Sequence, residues 1–187
     1  MSGIIAGIVG SSVALAEPVA RISVAGDLTY NVYSQSLTSN SQNYNGTGSL
    51  GYGGGLLAEF GIPGGPGIET GAIFFLRKVN VDVAAGPLGN FVFPVGNQYQ
   101  IHIPLLLRFG VGSLISIAGG GFYEIPTDNS SRNKNVGLEA GLRVGIPTGM
   151  SSQLFVDARY AHGLTDQIGG FKTNDIHLLI GLELGGI

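Results

Sequence analysis

The feature that most restricts the fold of this chain is an alternation of apolar and polar residues with a period of two. It recurs along almost the whole length. Side chains of a β-strand point to opposite faces in turn, so such alternation marks strands with two unlike faces. Eight segments carry it: 20–32, 50–62, 68–77, 98–109, 113–124, 135–146, 153–160 and 176–184. In the first, Ala20, Ile22, Val24, Leu28, Tyr30 and Val32 share one face, while Arg21, Ser23, Ala25, Asp27, Thr29 and Asn31 share the other. The sixth sets Val136, Leu138, Ala140, Leu142, Val144 and Ile146 against Asn135, Gly137, Glu139, Gly141, Arg143 and Gly145.

The connections between these segments alternate in length. Long polar loops are expected near 34–48, 79–97, 125–134 and 163–174. Tight turns are expected at 63–67, 110–112 and 147–149, where Gly and Pro supply the required backbone angles. An up-and-down meander built this way has two unlike ends, as bacterial outer-membrane barrels do with their short periplasmic turns and long external loops. An even number of strands leaves both termini at the short-turn end.

Composition removes the competing classes. Charged residues are 11% of the 187, against roughly 25% in an ordinary soluble domain. Mean hydropathy is positive, at +0.33, which excludes a disordered chain. There is no Cys, and therefore no disulfide framework, thiolate metal site or Cys nucleophile. A net charge of −3 argues against nucleic acid as a partner. No apolar run is long enough for a spanning helix.

The small residues orient the two faces. The polar face carries Gly51, Gly53, Gly55, Gly61, Gly71, Gly120, Gly137, Gly141, Gly145 and Gly181. Glycine weakens a strand and offers water nothing, so this is a poor solvent surface. It suits the inner wall of an eight-stranded barrel, whose interior is only wide enough to be filled by side chains. There the glycines would leave room for long Arg and Glu side chains, and the apolar face would meet lipid. Arg21, Glu59, Glu69, Arg77, Arg108, Glu139, Arg143, Asp157, Arg159 and Glu183 are expected to form a structural ion-pair network in the lumen, beside Asp27 and Glu124 on the same face. Three Arg and three carboxylates (Arg21, Arg108, Arg143, Glu59, Glu69, Glu183) fall toward the short-turn end. Buried charges must pair, and Arg21 with Glu183 and Glu69 with Arg108 are the expected partners.

No catalytic, cofactor or metal set is assigned. His162 and Asp166 fall at the outer rim and read as a polar loop entrance rather than an acid–base pair. His102 and His177 read as packed lumen residues rather than a metal pair, on the ground that nearby carboxylates are balanced by Arg. The glycine run 51–55 lacks the Lys-Ser/Thr of a phosphate loop. Tyr30, Tyr33, Tyr99, Tyr123 and Tyr160 lie near strand ends and suit an interfacial girdle. Residues 3–16 form an apolar stretch ending Ala14-Leu15-Ala16, read as an export signal shortened at its start. This makes 17–187 the barrel domain.

Three stretches carry a family resemblance: Tyr99-Gln-Ile-His-Ile-Pro-Leu-Leu-Leu-Arg-Phe-Gly110, Asn135-Val-Gly-Leu-Glu-Ala-Gly-Leu-Arg-Val-Gly145 and Phe155-Val-Asp-Ala-Arg-Tyr-Ala-His-Gly-Leu-Thr-Asp166. Over residues 19–187 the chain resembles the small outer-membrane β-barrel domain family, porin-like in name and built like the OmpA/OmpX-type proteins. Such chains usually finish in an aromatic residue, whereas this one finishes Leu184-Gly185-Gly186-Ile187. The expectation is thus an all-β, eight-stranded antiparallel up-and-down transmembrane β-barrel in a Gram-negative outer membrane. Its expected partners are outer-membrane lipid, lipopolysaccharide and the barrel-insertion machinery. The resemblance implies no enzymatic activity, and the leading expectation is envelope stabilisation or surface contact through external loops. A small pore, a rim enzyme and a soluble lipocalin-like carrier are the alternatives.

Overall fold

The computed structural model describes residues 19–33, 36–39, 42–61, 65–84, 90–127, 134–149, 152–165 and 172–185. The expected export segment, Asp166 and residues 128–133 of the long loop expected near 125–134 lie outside the described residues. Ten strands follow in order: β1 (Val19–Tyr33), β2 (Ser36–Ser39), β3 (Gln42–Thr47), β4 (Ser49–Gly61), β5 (Pro66–Ala84), β6 (Asn90–Val111), β7 (Ile115–Pro126), β8 (Asn135–Pro147), β9 (Ser152–Gly163) and β10 (Thr173–Gly185).

Eight of these close a ring. β1 pairs antiparallel with both β4 and β10, and β5 through β10 pair each with the next. The first and last strands stay in register from Arg21↔Gly185 to Tyr33↔Thr173. A closed ring leaves no unpaired backbone edge, the condition for sheet structure in hydrocarbon. Gly112, at φ 82°, makes the left-handed residue of the tight β6–β7 turn.

The long loops expected near 34–48 and 79–97 are corrected by the structure. β2 and β3 pair as Ser36↔Asn45 through Ser39↔Gln42, and β3 continues onto β5 as Tyr44↔Val83 through Thr47↔Asn80. β5 and β6 remain paired as far as Ala84↔Asn90, past a register shift at Val79/Asn80. Both hairpins therefore run beyond the ring as one ribbon. The period-two pattern in fact continues there, through Val79, Val81 and Val83. Backbone groups past the barrel rim satisfy one another rather than water.

The exterior is apolar. Val24, Leu28, Leu56, Leu105, Leu138, Leu142, Ile146 and Ile180 all stand exposed on it. Buried Ser23, Asp27, Thr29, Glu69, Arg108, Arg143, Asp157 and His177 face the lumen. A soluble carrier needs the opposite arrangement, so the lipocalin-like alternative is excluded. Exposed Tyr30 stands near one end of β1, and exposed Phe60 pairs with Ala20 near the other. Ten residues at a tilt of about 40° rise roughly 25 Å, the height of the apolar band of an outer-membrane barrel. Nitroxide labels at Leu105 and Leu142 in the reconstituted protein should be accessible to dissolved oxygen and shielded from a water-soluble nickel chelate. Chelate access at both positions would reverse the two faces.

The lumen is not wholly polar. Ala25, Leu57, Ile73, Phe155 and Leu179 form a buried apolar cluster. Along β1, β5 and β10 this cluster lies between charges near the tight turns and charges near the long loops. Most inner glycines therefore do not make room for ion pairs, contrary to the expectation from sequence: Gly51, Gly55, Gly71 and Gly120 sit against the backbone of the neighbouring strand. A Cβ on Gly53 would strike the Phe74 carbonyl, and one on Gly181 would meet the Phe155 ring at 2.7 Å. Gly141 does fit the expectation, since its Cβ would lie 3.0 Å from Arg159 Cγ.

Candidate functional site

Strict alternation carries every inner-face charge into one narrow space, where two groups form. Near the tight turns, Glu69 of β5 and Asp157 of β9 act as hubs. Glu69 accepts from Arg108 at 3.0 Å, Arg143 at 2.6 Å and Arg159 at 2.7 Å. Asp157 accepts from the same three arginines at 2.8, 3.1 and 2.8 Å. Arg143 reaches Glu183 at 3.1 Å and lies 4.3 Å from the Phe155 ring centroid. Arg21 lies 3.5 Å from Glu183 and 3.8 Å from Glu59, at the partly exposed mouth. Four guanidinium groups (Arg21, Arg108, Arg143, Arg159) thus meet four carboxylates (Glu59, Glu69, Asp157, Glu183). This group is neutral, and each buried ion has charge-assisted hydrogen bonds to replace water.

The second group sits nearer the long loops. Arg77 of β5 donates from Nη2 to Asp175, faces Glu124 at 3.3 Å, and donates from Nε to Asn31 at 2.9 Å. It thus stands apart from the turn-end arginines, within the wider lumen set expected from sequence. Asn135 donates to Glu124 at 2.8 Å and to Thr173 at 3.0 Å. His102 lies between two carboxylates, with Nδ1 at 3.1 Å from Glu124 and Nε2 at 2.8 Å from Glu139. His177 Nδ1 lies 3.0 Å from Asp27, which also accepts from Thr29 at 2.7 Å. The two imidazole centroids are 5.0 Å apart. Phe122 stacks on His102 at 4.9 Å, and Phe75 meets His177 edge-on at 5.5 Å.

This group does not balance. Asp27, Glu124, Glu139 and Asp175 are all buried, and the arginine embedded among them is Arg77, with Arg159 reaching Glu139 from the turn-end group at 3.2 Å. The expectation that arginine neutralises the carboxylates around His102 and His177 therefore fails. The balance expected from sequence covers three Arg and three carboxylates at the short-turn end, and the acidic residues beyond them outnumber the arginines that reach them.

Asp175, buried in this group, lies one residue before the eighth alternating segment, which begins at Ile176. Extending the period by one residue, to the inner face two before His177, would have found it. His162 is half-buried at the rim, with Nδ1 2.6 Å from Asn174 Oδ1.

No protein-family model matches this chain, and no curated protein matches it. Solved structures do. The outer membrane protein OprG of Pseudomonas aeruginosa superposes with a TM-score of 0.59 at 18% identity, covering 89% of this chain and 95% of that one. AlkL, an outer membrane protein solved in lipid bilayers, gives 0.58 at 11% identity, over 100% of this chain and 97% of its own. Neisserial surface protein A gives 0.53 at 13% identity, covering 87% and 96%. The chain is an eight-stranded antiparallel barrel with the fold of the small outer-membrane β-barrel proteins.

Proposed function

We propose that this chain is a non-enzymatic integral protein of the bacterial outer membrane that acts through its wall and its outer ribbon rather than through its lumen. One observation carries the reading: the lumen is occupied throughout its length, by the neutral ion group, the apolar cluster and the histidine group in turn. Leu57, Ile73, Phe155 and Leu179 pack together on one part of the wall, and buried Arg159, Glu139 and His102 link the two polar groups past them, so side chains rather than an open channel take up the space. Catalysis at the rim gains no support from His162, whose Nδ1 is engaged by Asn174.

The ribbon of β2, β3 and the far parts of β5 and β6 projects from the long-loop end, which in barrels of this architecture is the external one. Its outermost strand, β2, pairs on one side only among the described residues. A free strand edge is suited to contact with another chain through backbone hydrogen bonds. Envelope stabilisation would come from the rigid, lipid-matched wall, in contact with lipid and lipopolysaccharide, and surface contact from the ribbon.

Purified protein in planar lipid bilayers should give no stable conductance steps. Large, persistent steps would reject the filled lumen and support the pore alternative.

A further inference from the structure

We propose that His102, His177 and Glu124 form a lumenal binding site for a divalent transition-metal ion, with Zn2+ as the reference cation. One ligand atom from each can be chosen so that all lie within 4.8 Å of one another, and all three residues are buried. His102 Nδ1 and Glu124 Oε1 are 3.1 Å apart. Two ligands on one zinc ion, each bonded at about 2.0–2.2 Å, stand roughly 3–3.5 Å apart. The span of the set is slightly wider than an occupied site, so binding draws the rings inward.

The surroundings of the two histidines point the same way. A metal-bound histidine almost always donates its other ring N–H to a carboxylate or carbonyl, which fixes the tautomer and raises ligand basicity. Both rings have that arrangement. His177 Nδ1 faces Asp27 at 3.0 Å, and His102 Nε2 faces Glu139 at 2.8 Å. With a proton kept on each of those nitrogens, an ion would bind His177 Nε2 and take the place of the proton shared between His102 Nδ1 and Glu124. Among the described residues, His177 Nε2 is buried without any hydrogen-bond partner. An orphaned buried nitrogen is costly, and a metal ion would satisfy it.

Charge supplies an independent argument. The turn-end group is neutral, whereas of the buried carboxylates near the long loops Glu124 and Asp175 share Arg77, Glu139 is reached by Arg159 from the turn-end group, and Asp27 meets His177 and Thr29. A dication removes most of the negative excess in one step. The donor set of two imidazoles and one carboxylate suits zinc, nickel, copper or iron rather than magnesium or calcium. Phe75 and Phe122 against the rings shield the site from water. Because the site is closed, the ion would be captured as the barrel forms.

The test uses the chain without an affinity tag, refolded into detergent micelles with Zn2+ and freed of excess metal by gel filtration. The parent should retain one Zn2+ per chain by elemental mass spectrometry. His177→Gln should retain less than a tenth of that, and His162→Ala at the rim should match the parent. Asp27→Asn keeps every ligand yet should weaken Zn2+ binding by roughly 10–100-fold, because it removes the partner of His177 Nδ1. Co2+ in place of Zn2+ should give a visible absorption band that His177→Gln abolishes. Folding is verified by heat-dependent gel mobility. If His177→Gln does not fold, Glu124→Gln and Asp27→Asn decide by the same measurements. A folded parent that retains no metal, or a folded His177→Gln that retains as much as the parent, overturns the site.

Discussion

Replacing Arg108 by alanine should lower the unfolding free energy of the reconstituted barrel by about 3–5 kcal/mol, the range for stripping one partner from a buried ion pair. Arg108 is 2% exposed and binds Glu69, Asp157 and the Ser116 hydroxyl. Without it the turn-end group carries one uncompensated negative charge in a space that excludes water. Urea unfolding followed by tryptophan-free probes, such as tyrosine fluorescence or gel mobility, would measure the loss. Arg21→Ala is the internal comparison. That side chain is 32% exposed and its carboxylate contacts are 3.5 and 3.8 Å, so its loss should cost under about 1 kcal/mol. Combining Arg108→Ala with Asp157→Asn restores neutrality and should recover part of the larger loss. Equal, small effects of Arg108→Ala and Arg21→Ala would show that the lumen is wet and the pairs are screened.

Leu142→Arg should destabilise the barrel by about 2–4 kcal/mol, the cost of a cation on the lipid face near the bilayer midplane. Leu142 lies midway along β8, on the exposed apolar face, paired with Ile117 and Ala158. In a water-soluble barrel the same substitution would be close to neutral, since an exposed arginine is well hydrated. Folding efficiency into vesicles, compared with Ile146→Arg near the strand end, would read the depth dependence. The end position should be affected by no more than about 1 kcal/mol. If Leu142→Arg folds as well as the parent, the apolar face does not meet hydrocarbon.

Much of this was legible from residue order. A strand of strict alternation has no freedom over which residues share a face. Once Gly-rich and Leu-rich faces were separated, Arg21, Asp27, Glu69, Arg108, Glu139, Arg143 and Asp157 were bound to point together. The pairing of Arg21 with Glu183 was also within reach, because a closed meander makes its first and last strands neighbours. Strand ends were harder. Val79, Val81 and Val83 alternate as clearly as any spanning segment, yet the polar residues between them read as loop. Period-two alternation does not itself mark where a strand leaves the bilayer and continues in water.

The hub roles of Glu69 and Asp157 required the shear of the closed ring, which sets how far each strand slides along its neighbour. The same slide puts His102 of β6 beside His177 of β10, 5.0 Å apart across the lumen though not on adjacent strands.

The sequence by itself determined the two-faced strands, their number in the ring and the inside-out placement of charge, because period-two alternation and glycine-rich inner positions are properties of the chain's own order. Residue order also placed three arginines and three carboxylates toward the tight turns; only the tertiary structure decided that Asp157 and Arg159 join them and that an acidic group gathers around two histidines. The height of each side chain depends on tilt and stagger, which arise from closing all eight strands at once rather than from any one of them.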